Sequence, residues 1–332
     1  MAATADVADF YAQRQPAACP DTDLLVLTFD GKGIVMRPEA LREATAKAAR
    51  TAGHKLATRL SPGEKQGRKR MAELAGVYDA TPTPRAPGDV ISRPGQSRTG
   101  KAGPHARGKW LAASITDDIP AVITTAFDQA QRRDPDHRRP WVALVDGTTT
   151  QIEAIQAEAT RRHVNVAIVV DVIHVLEYLW KAAGSFFYPG DPDAETCVAD
   201  QATKILEGKA ATVAAGIRRR ATRFGYSPSE RQGADQAATY LTNKNPYLNY
   251  HTALAHGWPI ATGIIEGACR HIVKDRMDIT EARWGLPEAQ AILTLRTLNS
   301  NGDFDTYWRY HLDQEHHRIH RTRYRDNHQL AA

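Results

Sequence analysis

With 332 residues, 42% hydrophobic and 24% charged, and a formal net charge of +5, the chain has the balance of one large or two ordinary folded domains, which excludes a disordered or low-complexity protein. No stretch approaches the ~20 apolar residues needed to cross a bilayer, and residues 1–15 lack both the basic start and the apolar core of a secretion signal. Cys19, Cys197 and Cys269 are odd in number and far apart, which argues against a disulfide framework and for a reducing, cytoplasmic setting.

The first element is LLVLTF at 24–29, an apolar, partly β-branched run that reads as a buried strand ending at Asp30-Gly31. Residues 33–36 read as its hairpin partner. Residues 38–56, rich in Ala, Glu, Lys and Arg, predict an exposed helix, and 71–78 a further strand. From 81 to 108 Pro, Gly, Ser and Arg dominate without apolar periodicity, so 79–108 is expected to be a mobile loop. Within 61–110 ten Lys/Arg stand against four Asp/Glu, a local excess of six, with Arg68, Lys69 and Arg70 as its tightest cluster. Such an excess suits phosphate contacts, and equally a solvated basic loop.

A helix at 119–133 leads to WVALV at 141–145, a second buried run ending in Asp-Gly, at Asp146-Gly147. A helix at 151–162 and the run VNVAIVV at 164–170, ending at Asp171, follow. Strands alternating with helices predict parallel strands joined by right-handed crossovers. After His174 only helices are expected: 175–187, a long one at 193–223, one opening at the capping box Ser227-Pro228-Ser229-Glu230, 263–276 and 287–298. The tail from Asn301 carries five of the thirteen His.

Three strands thus end in Asp: Asp30, Asp146 and Asp171. The carboxyl ends of strands form the natural site of an open α/β sheet. Carboxylates converging there resist ionising together, a cost that a divalent cation relieves. A pair of Mg²⁺ or Mn²⁺ ions roughly 4 Å apart can activate an attacking hydroxyl and stabilise the leaving oxygen of a phosphodiester. The plain alternative is that each Asp-Gly is ordinary turn chemistry. Glu266 lies on the 263–276 helix beside the apolar Ile264-Ile265, with Arg270 and Lys274 following at steps of four. An acid facing a metal, continued by cations along one side, suits a DNA-cutting site; the alternative is a surface ion pair worth a few tenths of a kcal/mol. Asp171 and His174 share a face if a helix begins at once, and the His could meet a phosphate, although a lone His near a strand end is more often a structural hydrogen-bonder.

The segments VLTFDGKGIVMRPEALR, RMAELAGVYD, RRDPDHRRPWVALVDGTTTQ, VVDVIHVLEYLWKAAGSFF, GIIEGACRHIVKDRMDITEARW and AQAILTLRTLNSNGDFDTYW together resemble the ISKra-type insertion-sequence transposases, and more distantly the Mutator-like group. In order, they cover most of the chain from Phe10 to about His317. The resemblance implies an α/β, RNase H-like mixed sheet flanked by helices, with an all-helical insertion before the last catalytic acid. On that pattern 1–186 and 257–300 form the core, 187–256 the insertion and 301–332 a His/Arg-rich tail. It implies catalytic, metal-holding acids at Asp30, Asp146 and Glu266, with two Mg²⁺ or Mn²⁺ ions. Asp171 and His174 become accessory residues, and Arg276 and Arg283-Trp284 match a signature downstream of the Glu. The implied partner is DNA, both terminal inverted repeats and target. Its contacts are expected at Arg68, Lys69, Arg70, Arg270, Lys274, Arg276 and Trp284, on a nucleoid-associated protein that assembles as a homo-oligomer on DNA.

Such transposases usually carry a longer N-terminal reader of the terminal repeats, often zinc-binding. Here 29 residues precede Asp30, with Cys19 the sole cysteine among them, so an N-terminally shortened enzyme is expected. A DNA-binding remnant that does not cut is the alternative, though all three acids are intact. Asp-Gly-Thr-Thr at Asp146 also resembles the phosphate loop of actin-like sugar kinases, but the Asp30 loop does not repeat it. A haloacid-type phosphatase would place a second Asp where Lys32 stands.

Overall fold

The computed structural model describes residues 2–51, 64–65, 67–96, 100–279 and 282–321. Five strands, β1 (Leu24–Val35), β2 (Lys69–Ala80), β3 (Ala106–Ser114), β4 (Trp141–Val145) and β5 (Val166–Val170), form one sheet in the order β3-β2-β1-β4-β5. β1 and β2, and β2 and β3, pair antiparallel, whereas β1 with β4 and β4 with β5 pair parallel. The fold is therefore mixed α/β. The parallel reading holds for β1, β4 and β5, and β2 and β3 add the antiparallel half of a mixed sheet.

β1 is buried from Leu24 to Phe29 on both faces, as a central strand covered by helices must be. It does not turn at Asp30-Gly31. Of residues 33–36, expected as a hairpin partner, 33–35 continue β1 itself, and its antiparallel neighbour is β2, in register from Leu24↔Ala80 to Val35↔Lys69. Asp-Gly can turn a chain, but here Gly31 and Gly33 lie under the side chains of Glu73 and Lys69 on the neighbouring strand. Those long side chains occupy the room that a Cβ would need, so the glycines serve the pairing.

The helices are α1 (Val7–Gln13), α2 (Glu43–Thr51), α3 (Pro87–Val90), α4 (Ile119–Arg133), α5 (Thr149–Arg162), α6 (Val172–Ala183), α7 (Pro192–Leu206), α8 (Ala210–Arg223), α9 (Gln232–Lys244), α10 (Tyr250–Ala255), α11 (Gly263–Ala268), α12 (Asp275–Met277), α13 (Leu286–Ser300) and α14 (Phe304–His316). Asp118 caps α4 by accepting from the Ala121 N–H at 3.0 Å, and Ile123, Ala126 and Phe127 then bury against the sheet. The other face carries α11 and α13 through Ile265 and Leu293, packed with Ile34, Leu74 and Leu111. Truncating one such buried side chain to Ala costs about 2–5 kcal/mol.

Several expectations shift. The helix read at 38–56 starts with a 3-10 turn and is described only to Thr51; residues 52–56 lie outside the described residues. The long helix at 193–223 is two, because Gly208 adopts φ +82° between α7 and α8. Glu230 does reach back to the Ser227 N–H at 2.8 Å, yet α9 proper begins at Gln232. Within 79–108, expected as a mobile loop, β2 runs to Ala80 and β3 starts at Ala106; between them residues 81–96 and 100–105 hold only the short α3 and are tied to the helices, and 97–99 lie outside the described residues. Thr83 N–H donates to Gly257 O and Arg85 N–H to Leu254 O, both at 3.0 Å, and Arg93 pairs with Asp200 at 2.7 Å. β3, α1 and α14 were not foreseen.

Between residues 187 and 256 the chain forms helices α7–α10 and no strand. Among the described residues no helix is long and apolar enough to cross a membrane. The end of the sheet away from this insertion is closed by a buried ion cluster, in which Asp79 accepts from Arg139 at 2.6 Å and Arg133 at 3.0 Å.

Candidate active site

The last paired residues of β1 and β4 are Thr28 and Leu144, and Asp30 and Asp146 each stand two residues further along. Neighbouring strands run ~4.8 Å apart, so the two acids share one end of the parallel pair. β4 stops there while β1 continues against β2, which leaves a notch beside Asp30. The Asp30 carboxylate accepts from the Gly31 N–H at 2.7 Å. Asp146 accepts from the Thr148 N–H at 2.7 Å and from the Thr148 hydroxyl at 2.9 Å, one bond per oxygen, which holds its rotamer. Gly147 adopts φ +97°, and the Tyr240 hydroxyl donates to the Asp146 carbonyl at 3.2 Å.

Glu266 comes to this end on α11. Ile265 is fully buried on the sheet, where Gly76 leaves space: a Cβ there would lie 3.8 Å from its Cδ1. One helical turn on, Cys269 is buried in the cluster that holds Ile34 and Leu74, and burial, then the Asp30 charge, raises its pKa far above the usual thiol range. Glu266 precedes Cys269 by three residues, about 4.5 Å of axial rise. Its side chain is exposed and engages no hydrogen bond or ion pair among the described residues. Cys269–Lys274 form a π turn between α11 and α12, an arrangement recurrent at functional sites. Arg270 and Lys274 are exposed along it.

Asp171 and His174 part company. Asp171 is 2% exposed and caps α6 through the Ile173 N–H at 2.7 Å. Its other oxygen takes the Thr262 N–H at 3.0 Å and the Thr262 hydroxyl. Thr262 immediately precedes α11, so Asp171 fastens the helix that carries Glu266. His174 is half-buried and meets Glu177 at 3.3 Å, an i,i+3 contact on α6.

Three residues at this end were not singled out in the sequence. Glu73 pairs in register with Gly31, its carboxylate 3.2 Å from where a Cβ on Gly31 would stand. Burial, then the Asp30 and Asp146 charges, raise its pKa, and Arg42 opposes them. An acid inside the otherwise apolar run of 71–78 was the available signal. Cys269 sits one turn beyond Glu266, a spacing that was equally legible. Tyr240 had none: it arrives from α9, 94 residues from Asp146, and stacks on Tyr178 with centroids 3.9 Å apart.

The expected DNA contacts divide. Arg68 and Lys69 are half-buried. Arg70 donates to Ile115 O at 2.9 Å and Ala40 O at 3.5 Å, and burial beside Arg42 lowers its pKa, so its guanidinium is committed to the fold. Trp284 adds a parallel rung at Met36, donates Nε1–H to Met277 O at 3.0 Å, and lies beneath Arg276 at 5.4 Å. Its polar groups are used internally.

Among the described residues, His, Cys, Asp or Glu ligand atoms gather in threes within 4.8 Å only at Asp6, His311 and Glu315. Asp30, Asp146 and Glu266 are not drawn that close. The Asp6 group is already neutralised, since Arg318 donates to both Asp6 oxygens at 2.7 and 3.0 Å and His311 lies 2.5 Å from one of them. It clasps the segment before α1 to α14. Comparisons with protein-family models, with curated proteins and with solved structures found no match, so the functional reading rests on the site itself.

Proposed function

We propose that this chain is the catalytic core of a DDE-type transposase, which cuts DNA strands at the ends of an insertion sequence and joins them to a target. The observation that carries the reading is the convergence at one sheet end: Asp30 and Asp146 follow adjacent parallel strands, and α11 packs on the sheet through Ile265, with Glu266 next to it and Cys269, buried in the same cluster, one turn on. The strand order, with an antiparallel β1–β2–β3 meander and parallel β4 and β5, suits an RNase H-like core, and α7–α10 fall where the helical insertion is expected.

The donors fit Mg²⁺ or Mn²⁺. They are carboxylate oxygens, hard ligands with lone pairs left over after the bonds to Gly31 and Thr148. Glu73 binds its proton more tightly first because it is buried and then because Asp30 and Asp146 are near, and that second cause is the like-charge crowding a divalent cation relieves. Asp30, Asp146 and Glu266 would hold two such ions, whose chemistry would be to activate an attacking hydroxyl and stabilise a leaving oxygen. The chain's own contribution is positioning: Thr148 fixes the Asp146 carboxylate, Asp171 anchors α11 through Thr262, and the exposed Arg270 and Lys274 meet the phosphates flanking the scissile bond. DNA ends and target are the partners, on a homo-oligomer assembled on DNA.

Asp30→Asn, Asp146→Asn and Glu266→Gln should each abolish Mg²⁺-dependent strand cleavage while the melting temperature stays near that of the parent. A variant that cuts normally removes its residue from the set. A parent protein inert on every DNA end with either metal overturns the reading.

A further inference from the structure

A cavity of about 700 Å³ opens between α6, α7 and α8, away from the acids. Leu179, Val198 and Val213 form an apolar floor, Lys204, Arg219 and Arg220 stand at its rim, and no carboxylate lines it. The Arg220 guanidinium lies 4.5 Å from the Phe186 ring centre and 4.7 Å from that of Phe187. No carboxylate pairs with it among the described residues; its one polar contact is the Cys197 sulfur at 3.7 Å. Beside it the Tyr226 ring lies nearly parallel to Phe224, at 5.5 Å and 17°, and to Phe186, at 5.9 Å and 26°, while Phe186 and Phe224 are tilted by 43° at 6.5 Å. Phe224 is 56% exposed.

We infer that this is a docking pocket for unpaired nucleic acid, in which a base stacks on the Phe224 face and its phosphates meet Lys204, Arg219 and Arg220. Each part of the site answers one part of that ligand. Flat exposed rings accept a base in any sequence, the cations track the backbone, and an apolar hollow of this size admits a displaced base. An arginine held by rings without a carboxylate keeps its charge available to an anion. Leu179 lies eight residues beyond Asp171 on α6, about 12 Å along its axis, so a strand leaving the acids can reach the pocket within a few nucleotides. The inference rests on the chain acting on DNA, but not on the acids cutting it.

The test is fluorescence anisotropy of a labelled oligothymidylate, without metal, on the full chain. Phe224→Ala should weaken binding about tenfold and Phe224→Trp should keep it, while duplex affinity moves by less than about twofold. On the parent protein, the same oligonucleotide with abasic positions should lose a similar factor, a measurement that needs no variant. Equal affinity for the abasic strand, an unaltered Phe224→Ala, or equal losses on single strand and duplex would each overturn the pocket. So would binding to phosphatidylglycerol vesicles in place of the oligonucleotide. If the pocket fails while the parent still cleaves DNA ends, the transposase reading stands without it.

Discussion

Gly147→Ala should damage the turn that presents Asp146, by an amount the geometry sets. At φ +97° an L-residue carries left-handed backbone strain of about 1–2 kcal/mol. The new methyl would stand 2.9 Å from the Tyr240 hydroxyl and 3.6 Å from Val170 Cγ1. Tyr240 cannot retreat freely, because its ring is stacked on Tyr178 at 3.9 Å. Relieving the overlap breaks its bond to the Asp146 carbonyl, worth about 1 kcal/mol. The sum is about 2–3 kcal/mol. Tyr240→Phe alone should cost about 1 kcal/mol through the same hydrogen bond. With Tyr240→Phe already in place the overlap is gone, so Gly147→Ala should there cost only its backbone strain. Urea unfolding of the parent, the two single variants and the double variant measures a coupling of about 1 kcal/mol, and cleavage of a DNA end should track it. Full additivity would show that Tyr240 does not brace this turn.

Asp171→Ala should cost about 2–3 kcal/mol, as one cap is lost and the buried Thr262 N–H and hydroxyl lose their acceptor, with cleavage falling more than DNA binding because α11 loosens; unchanged stability would refute the anchor. Asp79→Ala should cost about 3–5 kcal/mol in urea unfolding, since it strands Arg139, whose side chain is 2% exposed, without its carboxylate; a loss below about 1 kcal/mol would refute that. The Asp6 carboxyl is held down from 3.8 to about 2, chiefly by Arg318 and then, against burial, by His311. A depressed carboxylate stabilises above its unfolded pKa and loses that stabilisation as pH falls through the folded value, so the margin of the parent over Asp6→Asn should shrink between pH 3.8 and about 2. A margin that is flat across that window would mean the clasp contributes nothing to stability.

Much was legible from local pattern alone. The apolar runs at 24–29 and 141–145 are strands because both faces are buried, and the acids that follow them each stand two residues beyond the last residues paired between them. The helix at 119–133 matches its expected bounds, since Asp118, Pro120 and a periodic apolar face all act within one segment. Partners distant in sequence were not legible. Asp30-Gly31 carries turn chemistry, yet the strand runs through it because β2 pairs to its far end. Asp171 read as an accessory acid beside the site, and only packing shows both its oxygens taken by Ile173 and Thr262. Arg70 looked free for phosphate until two carbonyls, one of them 45 residues away, claimed it. Periodicity and capping are short-range effects that the sequence carries in itself. Whether a charged side chain faces solvent or is consumed by the fold depends on which surfaces meet, and only the tertiary structure decides that.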